Sequence, residues 1–410
     1  MNLHLHSSVT KLIENIEITG SKSESNRALL LQALYPALHI ENISNSDDSE
    51  VMQKGLKILN GEVDIHHAGT AMRFLTTFFA TQEGREVVLT GSQRMKERPI
   101  RILVDALKQL NASIEYTDND GYPPLKIVGK NLSANKVTMA ANVSSQYISS
   151  ILLSAPFLQN GIILELEGKI TSVPYINMTL GLLSQIGVTS TFEGNVIKVE
   201  PIADIEKAKT IVVESDWSSA SYFYSIIALC DVGSTIKLSS YKKDSLQGDS
   251  VLTEIYKDFG VATTFEDNTI SITKERAVAR DTSIQIDLSN APDIAQTIAV
   301  TSFGLGIACD LSGLHTLKIK ETDRLEALKA ELGKLGAEIE VTDKELHLKP
   351  SDYINPDIAI DTYNDHRMAM AFAPLALKTS IIINDAEVVS KSYPDFWNDM
   401  KKLHFNLKEL

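Results

Sequence analysis

Apolar positions along this 410-residue chain follow two interleaved helical patterns that are separated by short alternating strands. In the first pattern, a helix ends on a large apolar residue. This residue is followed by Gly or Asn, then by a small residue, and then by a strand. The pattern occurs at residues 110–112, 186–188, 259–261 and 335–337, at intervals of 76, 73 and 76 residues. Gly or Asn at this point is typical of a left-handed helix cap. The pattern therefore predicts helices that end at equivalent points of a repeat.

The second pattern consists of apolar helices that each begin with a short polar cluster. These clusters lie at residues 21–23, 68–70, 144–146, 215–217, 291–293 and 364–366. The helical segments behind them, such as residues 222–229, are apolar on nearly every side, so we expect them to be buried. Between two of these clusters, a leucine repeat at helical spacing starts at Leu325 and stops before Gly336, which predicts one more helix.

Six copies of a strand-helix-strand-helix-strand-strand unit account for both patterns. The period is longer than that of solenoid repeats, and a chain of this length is too long for one core. The predicted fold class is α/β (α+β), with two similar domains that each contain three βαβαββ-type repeats with buried parallel helices. The first copy is short, because few residues separate Asp48 from His66. Helix N-termini that share one direction would attract anions.

Composition narrows the classes of function. The net charge of -14, from 53 acidic and 39 basic side chains, argues against nucleic acid or an anionic membrane as a partner. The chain shows no membrane-length apolar run and no signal peptide, so we expect a cytoplasmic protein. Cys230 and Cys309 lie in apolar runs and are predicted to be buried thiols. Because metal-ligand spacings, phosphate loops and dinucleotide fingerprints are all missing, we expect neither a metal nor a cofactor.

The most informative polar stretch opens the leucine-rich helix. Lys320 and Arg324 suit a phosphate or carboxylate ligand, and Glu321 is close enough to move a proton. Thr322 or Asp323 is predicted to cap the helix, where free N–H groups also favour an anion. The alternative is a solvated first turn with salt bridges and no chemistry.

The remaining helix openings also carry groups that suit anionic or hydroxylated ligands. They are Lys22, Ser23, Arg27, Gly69, Arg98, Ser144, Ser145, Gln146, Asp293, His366, Arg367 and Lys391. Each has a simpler structural alternative, and for Asp293 a helix cap is the more common function. Pro99, which follows Arg98, is predicted to start a helix.

Seven motifs in this order and spacing carry a family resemblance. They lie at residues 21–27, 68–73, 94–100, 144–147, 320–325, 364–370 and 391–395. On these motifs the chain resembles the 5-enolpyruvylshikimate-3-phosphate synthase family. The resemblance implies a first domain at residues 20–213, a second domain at residues 1–19 and 214–410, and a substrate cleft between them. It also implies a monomer that acts on two small molecules, phosphoenolpyruvate and shikimate 3-phosphate, without a cofactor.

The implied reaction joins the enolpyruvyl group to the 5-hydroxyl of shikimate 3-phosphate through a tetrahedral intermediate. By resemblance, Asp293 is the base, Glu321 is the proton donor, and Lys22 supports either. The implied contacts of shikimate 3-phosphate are Lys22, Ser23, Arg27, Ser144, Ser145, Ser172, Tyr175, Asp293, Thr316 and Lys320. Those of phosphoenolpyruvate are Lys22, Gly69, Arg98, Gln146, Arg324, His366, Arg367 and Lys391.

Three positions depart from the usual pattern of the family. His67 and Thr316 each stand where an Asn is usual, and Phe74 stands where a Pro is usual. Gly69 leaves space for glyphosate, an inhibitor that competes for the phosphoenolpyruvate site, so we expect sensitivity to it.

Two alternatives accompany this hypothesis. The first is the related transferase that acts on UDP-N-acetylglucosamine, which typically has a Cys in its first domain. In this chain the first Cys is Cys230, which lies in the second domain. This chain also contains the Lys-Glu-Thr-Asp-Arg motif, which the related transferase lacks. The second is a non-catalytic binder of phosphorylated metabolites, although the presence of both Asp293 and Glu321 argues against it.

Overall fold

The computed structural model describes residues 1–141, 144–170 and 173–410. The chain forms two compact units. The N-terminal unit is Gly20–Val213, and the C-terminal unit combines Met1–Thr19 with Glu214–Leu410. Among the described residues, none of the helices has the length and apolar character needed to cross a membrane.

The chain begins with two strands that belong to the C-terminal unit, β1 (Leu3–His6) and β2 (Ile13–Ile16). The helices of the N-terminal unit are α1 (Lys22–Leu34), α2 (Asp47–Leu56), α3 (Gly69–Ala80), α4 (Gln93–Lys96), α5 (Arg101–Gln109), α6 (Ser145–Ser154) and α7 (Val173–Gln185). Its strands are β3 (Leu38–Glu41), β4 (Gly61–Asp64), β5 (Glu86–Thr90), β6 (Ser113–Tyr116), β7 (Leu125–Val128), β8 (Lys136–Ala140), β9 (Ile162–Glu167), β10 (Ser190–Glu193), β11 (Val196–Val199) and β12 (Lys209–Val212).

The rest of the C-terminal unit repeats the same kinds of element. Its helices are α8 (Trp217–Leu229), α9 (Leu252–Asp258), α10 (Ala295–Leu305), α11 (Arg324–Lys334), α12 (His366–Phe372) and α13 (Phe396–Lys402). Its further strands are β13 (Thr235–Ser239), β14 (Val261–Glu266), β15 (Thr269–Lys274), β16 (Ser283–Asp287), β17 (Ala308–Ser312), β18 (Ile339–Val341), β19 (Leu346–Leu348), β20 (Ile358–Ile360), β21 (Ile381–Ile383) and β22 (Asn406–Glu409). Short 3-10 helices lie at Gly248–Val251, Pro292–Ile294, Leu317–Ile319, Ala373–Leu377 and Ala386–Lys391.

Every four-stranded sheet joins a parallel pair of strands to an antiparallel pair. The antiparallel pair is a hairpin except in the sheet that contains β1 and β22, which come from opposite ends of the chain. In the N-terminal unit the strand orders are β4-β5-β7-β6 and β10-β11-β9-β8. In the C-terminal unit they are β14-β15-β13-β2, β16-β17-β19-β18 and β20-β21-β1-β22. A helix crosses over between parallel strands, as α3 does between β4 and β5. These sheets confirm the predicted βαβαββ repeat.

The chain passes from one unit to the other twice, after Thr19 and after Val213. At each passage, the last strand before the boundary pairs with a strand of the unit that the chain is leaving. β2 precedes α1 in sequence but lies parallel to β13 in the C-terminal unit. β12 precedes α8 but lies parallel to β3, in a sheet of two strands. This two-stranded sheet is the shortened first repeat, since only four residues separate α2 from β4 and leave no space for a hairpin.

The first helix of each repeat is buried, as its apolar surface predicts. Every residue of α8 is buried, and so is nearly every residue of α3. In the C-terminal unit α8 packs on α10, which packs on α12, while α3 packs on α6 in the N-terminal unit. The polar openings therefore lie at the starts of helices that are otherwise mostly buried.

The predicted helix caps are present. Asn111, Gly187, Gly260 and Gly336 all have left-handed backbones, with φ between 69° and 101°. The prediction for Pro99 was wrong, because α5 begins at Arg101. Ile100 has φ -137° and ψ 1°, which is not helical. The short helix α4 was not predicted.

Two of these glycines allow a matched stability test, because they occupy equivalent positions of the C-terminal unit. A Cβ at Gly260 would lie 2.2 Å from the carbonyl oxygen of Arg276, whereas at Gly336 its nearest neighbour is Asn355 at 3.4 Å. We expect Gly336→Ala to lower the free energy of unfolding by about 1–2 kcal/mol through left-handed strain alone. We expect Gly260→Ala to lower it by at least a further ~1 kcal/mol, because backbone must move.

Urea unfolding followed by tryptophan fluorescence measures this difference, since Trp217 and Trp397 both lie in the C-terminal unit. Equal losses in the two variants would show that crowding by Arg276 has no energetic effect.

Candidate active site

A buried arginine organises the polar side chains of the C-terminal unit. Arg324, the first residue of α11, donates from Nε to Asp365 Oδ2 at 2.7 Å. Its Nη1 donates to Asp293 Oδ1 at 2.9 Å, and its Nη2 donates to Glu321 Oε2 at 2.8 Å. The Arg324 side chain is 2% exposed. Burial lowers the pKa of Arg324, but the three carboxylates outweigh it and raise the pKa above its ordinary value.

The start of α11 follows local helix chemistry. Asp323 is the N-cap, and its carboxylate accepts hydrogen bonds from the backbone N–H groups of Leu325 and Glu326. Of the two predicted caps, Asp323 therefore caps the helix. Its neighbours Lys320 and Glu321 lie directly before the helix, where their side chains reach the Arg324 cluster.

Asp293 lies among three cations. Its Oδ1 is 3.4 Å from Lys320 Nζ and 2.9 Å from Arg324 Nη1, and its Oδ2 is 3.5 Å from Arg367 Nη2. Burial raises the pKa of Asp293, but Lys320, Arg367 and Arg324 together lower it well below the ordinary value. Asp293 is therefore an ionised carboxylate that can accept a proton when the balance of charge around it changes.

Three further predicted residues join this cluster. Lys391 Nζ lies 3.9 Å from Glu321 Oε1, so Glu321 lies between Lys391 and Arg324. Arg367 donates from Nη1 to the backbone oxygen of Asp293 at 3.1 Å. His366 is buried beside Asp365, with 3.7 Å between His366 Nδ1 and Asp365 Oδ1.

In the N-terminal unit, Arg27 is a buried cation that is held by neutral groups. It donates to the Thr179 hydroxyl at 2.9 Å, the Ser149 hydroxyl at 3.0 Å and the Ser23 carbonyl at 2.8 Å. Its guanidinium carbon lies 5.5 Å from the centre of the Phe74 ring and 5.9 Å from that of Tyr175. Burial lowers the pKa of Arg27 to about 10.

The other N-terminal candidates form two further contact groups. Lys22 Nζ lies 3.3 Å from Asp48 Oδ2. The Arg98 guanidinium packs on the backbone of Gly69, because a Cβ at Gly69 would lie 2.6 Å from Arg98 Nη1. Gly69 therefore permits this close approach, and a side chain at residue 69 would displace the Arg98 guanidinium.

The opening of α6 supplies hydroxyl and amide groups. Ser144 is its N-cap and accepts from the Gln146 N–H at 3.3 Å, while Ser145 is the first helical residue. The Gln146 side chain donates to the Thr70 hydroxyl at 3.3 Å. Ser172, a predicted contact, lies outside the described residues. The buried Thr316 hydroxyl has no hydrogen-bond partner among the described residues, which suits a ligand contact.

Sequence reasoning assigned no function to the carboxylates that support the cations, although Asp365 lies in one of the recognised helix openings. Asp365 accepts two of the Arg324 hydrogen bonds, and Asp48 pairs with Lys22. Asp249 and Ser218 adjoin Arg367. The polar opening of α8 was recognised as part of the repeat, but it contains no cation to mark Ser218 as functional.

The geometry defines a class of protein, a two-unit α/β enzyme built of βαβαββ repeats. Its helix starts carry cations and carboxylates, which suit proton transfer beside a phosphorylated anion. Residues 60–400 match the family model described as EPSP synthase (3-phosphoshikimate 1-carboxyvinyltransferase). The chain belongs to this family.

Relatives and solved structures agree with the family. A 3-phosphoshikimate 1-carboxyvinyltransferase from Bacteroides fragilis is 42% identical over 99% of this chain and 98% of its own. One from a Sulfurovum species is 36% identical over 95% of this chain and 96% of its own. An EPSP synthase structure from Acinetobacter baumannii superposes with a TM-score of 0.81 over the whole of both chains at 20% identity, which shows the fold.

The pKa of Asp293 gives its contribution to stability a defined pH dependence. Because the folded pKa lies below the unfolded value of about 3.9, the contribution is complete above pH 4 and disappears as the pH falls through the folded value. We expect Asp293→Asn to lower the free energy of unfolding by about 3 kcal/mol at pH 7, and by progressively less below pH 4.

Urea unfolding at pH 7, 5, 4 and 3 measures this difference. Asp343→Asn is the matched control, since Asp343 pairs with Lys318 in the same unit but is 89% exposed. We expect the control to resemble the wild type at each pH. A loss for Asp293→Asn that stayed constant down to pH 3 would contradict the assigned ionisation.

Proposed function

We propose that the chain catalyses the reaction for which its family is named, the transfer of the enolpyruvyl group of phosphoenolpyruvate to the 5-hydroxyl of shikimate 3-phosphate, with release of phosphate. The observation that supports this most directly is the Asp293 cluster. An ionised carboxylate faces three cations, and a second carboxylate, Glu321, shares Arg324 with it. This arrangement suits a reaction in which one proton leaves a hydroxyl while another reaches carbon.

In the proposed addition step, Asp293 accepts the proton of the 5-hydroxyl as its oxygen bonds to C2 of phosphoenolpyruvate. Glu321 gives a proton to the methylene carbon, which becomes a methyl group. In the elimination step, the bond from C2 to the phosphate oxygen breaks and phosphate leaves. A methyl proton returns to the enzyme, which restores the double bond. Lys22 supports either transfer.

The proposed function of the cations is to bind the negative charge of phosphoenolpyruvate. We assign Lys22, Gly69, Arg98, Gln146, Arg324, His366, Arg367 and Lys391 to this substrate. In the described structure Arg324 and Arg367 donate largely to carboxylates and their neighbours. Substrate anions compete for these donors, so binding raises the pKa of Asp293 toward its ordinary value and makes it a stronger base.

We assign a second set of groups to shikimate 3-phosphate. They are Lys22, Ser23, Arg27, Ser144, Ser145, Ser172, Tyr175, Asp293, Thr316 and Lys320. Arg27 suits this function because its hydrogen-bond acceptors are neutral, which leaves its charge available to the substrate. The unpartnered Thr316 hydroxyl is available in place of the amide that is usual there.

We infer that each compact unit is one enolpyruvyl-transferase domain, and that the protein acts as a cytoplasmic monomer without a cofactor. Sensitivity to glyphosate stays a prediction. It depends on the contact between Gly69 and Arg98. Because Gly69 has no side chain, the Arg98 guanidinium lies close to the Gly69 backbone.

The acceptor specificity tests this function. We expect phosphate release from phosphoenolpyruvate with shikimate 3-phosphate and none with UDP-N-acetylglucosamine. Measurement of phosphate with each acceptor separates the possibilities. Release with the UDP-sugar would identify the related transferase, and tight binding of shikimate 3-phosphate without release would identify a non-catalytic binder.

The proton-transfer groups are tested by isosteric variants. We expect Asp293→Asn and Glu321→Gln each to lower kcat by about 10²–10⁴, with a smaller change in KM, because an amide keeps the shape but cannot exchange the proton. Steady-state kinetics with both substrates measures the effect. Glu345→Gln is a matched control in the same unit, as its carboxylate lies on the surface beside His347. Near-normal turnover in both active-site variants would refute the assignment.

A further inference from the structure

A serine contacts Arg367, and a buried aspartate contacts that serine. Arg367, the second residue of α12, donates from Nη2 to the hydroxyl of Ser218 at 3.2 Å. Ser218 is the second residue of α8, so the two side chains occupy equivalent positions of two repeats. The Ser218 hydroxyl in turn donates to Asp249 Oδ2.

The direction of these two hydrogen bonds follows from the chemistry of the groups. A guanidinium can only donate, and an ionised carboxylate can only accept. When Asp249 is ionised, Ser218 must therefore give its single proton to Asp249, which leaves a lone pair of the Ser218 oxygen facing Arg367. Without an acceptor at Asp249, the hydroxyl proton could rotate toward the guanidinium and repel it.

The segment from Gln247 to Asp249 is hydrogen-bonded to the start of α8. Gln247 accepts a hydrogen bond from the Trp217 N–H at 2.9 Å and donates to the Ser215 carbonyl at 3.0 Å. Both Gln247 and Asp249 are about 5% exposed. Two side chains from one short segment thus hold the first turn of α8, which makes Ser218 a rigid contact rather than a mobile surface group.

The charges around Asp249 make its ionisation sensitive to pH near neutrality. Burial raises the pKa of Asp249 to about 7, Asp293 and Asp216 add to the rise, and Arg367 and the Ser218 hydrogen bond oppose it. Above pH 7 the carboxylate is a strong acceptor for Ser218. Below pH 7 it becomes neutral and a weaker acceptor.

We propose that Asp249 and Ser218 are positioning residues that orient the Arg367 guanidinium for the phosphoenolpyruvate anion. Arg367 has one Nη on the Asp293 carbonyl and the other on Ser218, so its plane is fixed at two points. The inference rests on the proposed assignment of Arg367 to phosphoenolpyruvate. Neither residue contacts a reacting atom in this scheme, and both act through Arg367.

Steady-state kinetics of Ser218→Ala tests the proposal. We expect the KM for phosphoenolpyruvate to rise at least fivefold, while the KM for shikimate 3-phosphate stays within twofold of the wild type. Ser225→Ala is the matched control, because Ser225 is a buried serine of the same helix that accepts a hydrogen bond from Thr301. The proposal is overturned if Ser218→Ala matches this control, or if it raises both KM values equally.

The pH profile of Asp249→Asn supplies a readout that a purely structural function would not change. Asn imitates the neutral form of Asp249, so the ratio of its KM for phosphoenolpyruvate to that of the wild type should be largest above pH 7. It should approach one as the pH falls below 7. The ratio cancels the titration of the substrate, which is the same for both proteins, and a ratio that is independent of pH would contradict the proposal.

Arg367→Lys separates this inference from the assignment on which it rests. If Arg367→Lys leaves the KM for phosphoenolpyruvate unchanged, the assignment of Arg367 is wrong. If Arg367→Lys raises that KM and Ser218→Ala does not, the assignment holds and the positioning inference fails. Thermal unfolding of each variant shows whether it is folded, and Ser218→Ala carries the test if Asp249→Asn does not fold.

Discussion

The C-terminal site depends on the burial of one guanidinium. Arg324 has almost no contact with solvent, and its donors are distributed over Asp293, Glu321 and Asp365. A buried cation is costly unless hydrogen-bond acceptors replace the water that it has lost, and here three carboxylates do so. The carboxylates need the guanidinium for the same reason. Because each group needs the others, the cluster keeps Asp293 charged and holds Asp293 and Glu321 at fixed distances from Arg324 before any substrate binds.

The repeat explains why these groups meet. Each repeat starts a buried helix after a parallel strand, and the polar opening of that helix lies at the end of the strand. Within the C-terminal unit the openings of α8, α10 and α12 are neighbours because the helices pack on one another. The repeated fold thus places three polar clusters side by side within this unit.

The two units share the repeat but surround their buried cations with different hydrogen-bond acceptors. The cations of the C-terminal unit are matched by carboxylates, which keeps Asp293 ionised. Arg27 in the N-terminal unit is held by hydroxyls, a carbonyl and two aromatic rings, so burial lowers its pKa. An arginine whose hydrogen-bond acceptors are neutral gains more from an anionic ligand than one that carboxylates already neutralise.

The sequence by itself determined the features that depend on local spacing. Apolar periodicity predicted the repeat and its buried helices, left-handed caps predicted where helices end, and the motif from Lys320 to Arg324 predicted a charged helix start. Only the tertiary structure decided which charges meet. Asp293 and Asp365 lie 31 and 41 residues from Arg324, and Ser218 lies 149 residues from Arg367, so no local pattern links them. Their approach depends on how the helices pack, because a hydrogen bond requires a precision of tenths of an ångström that residue spacing does not carry.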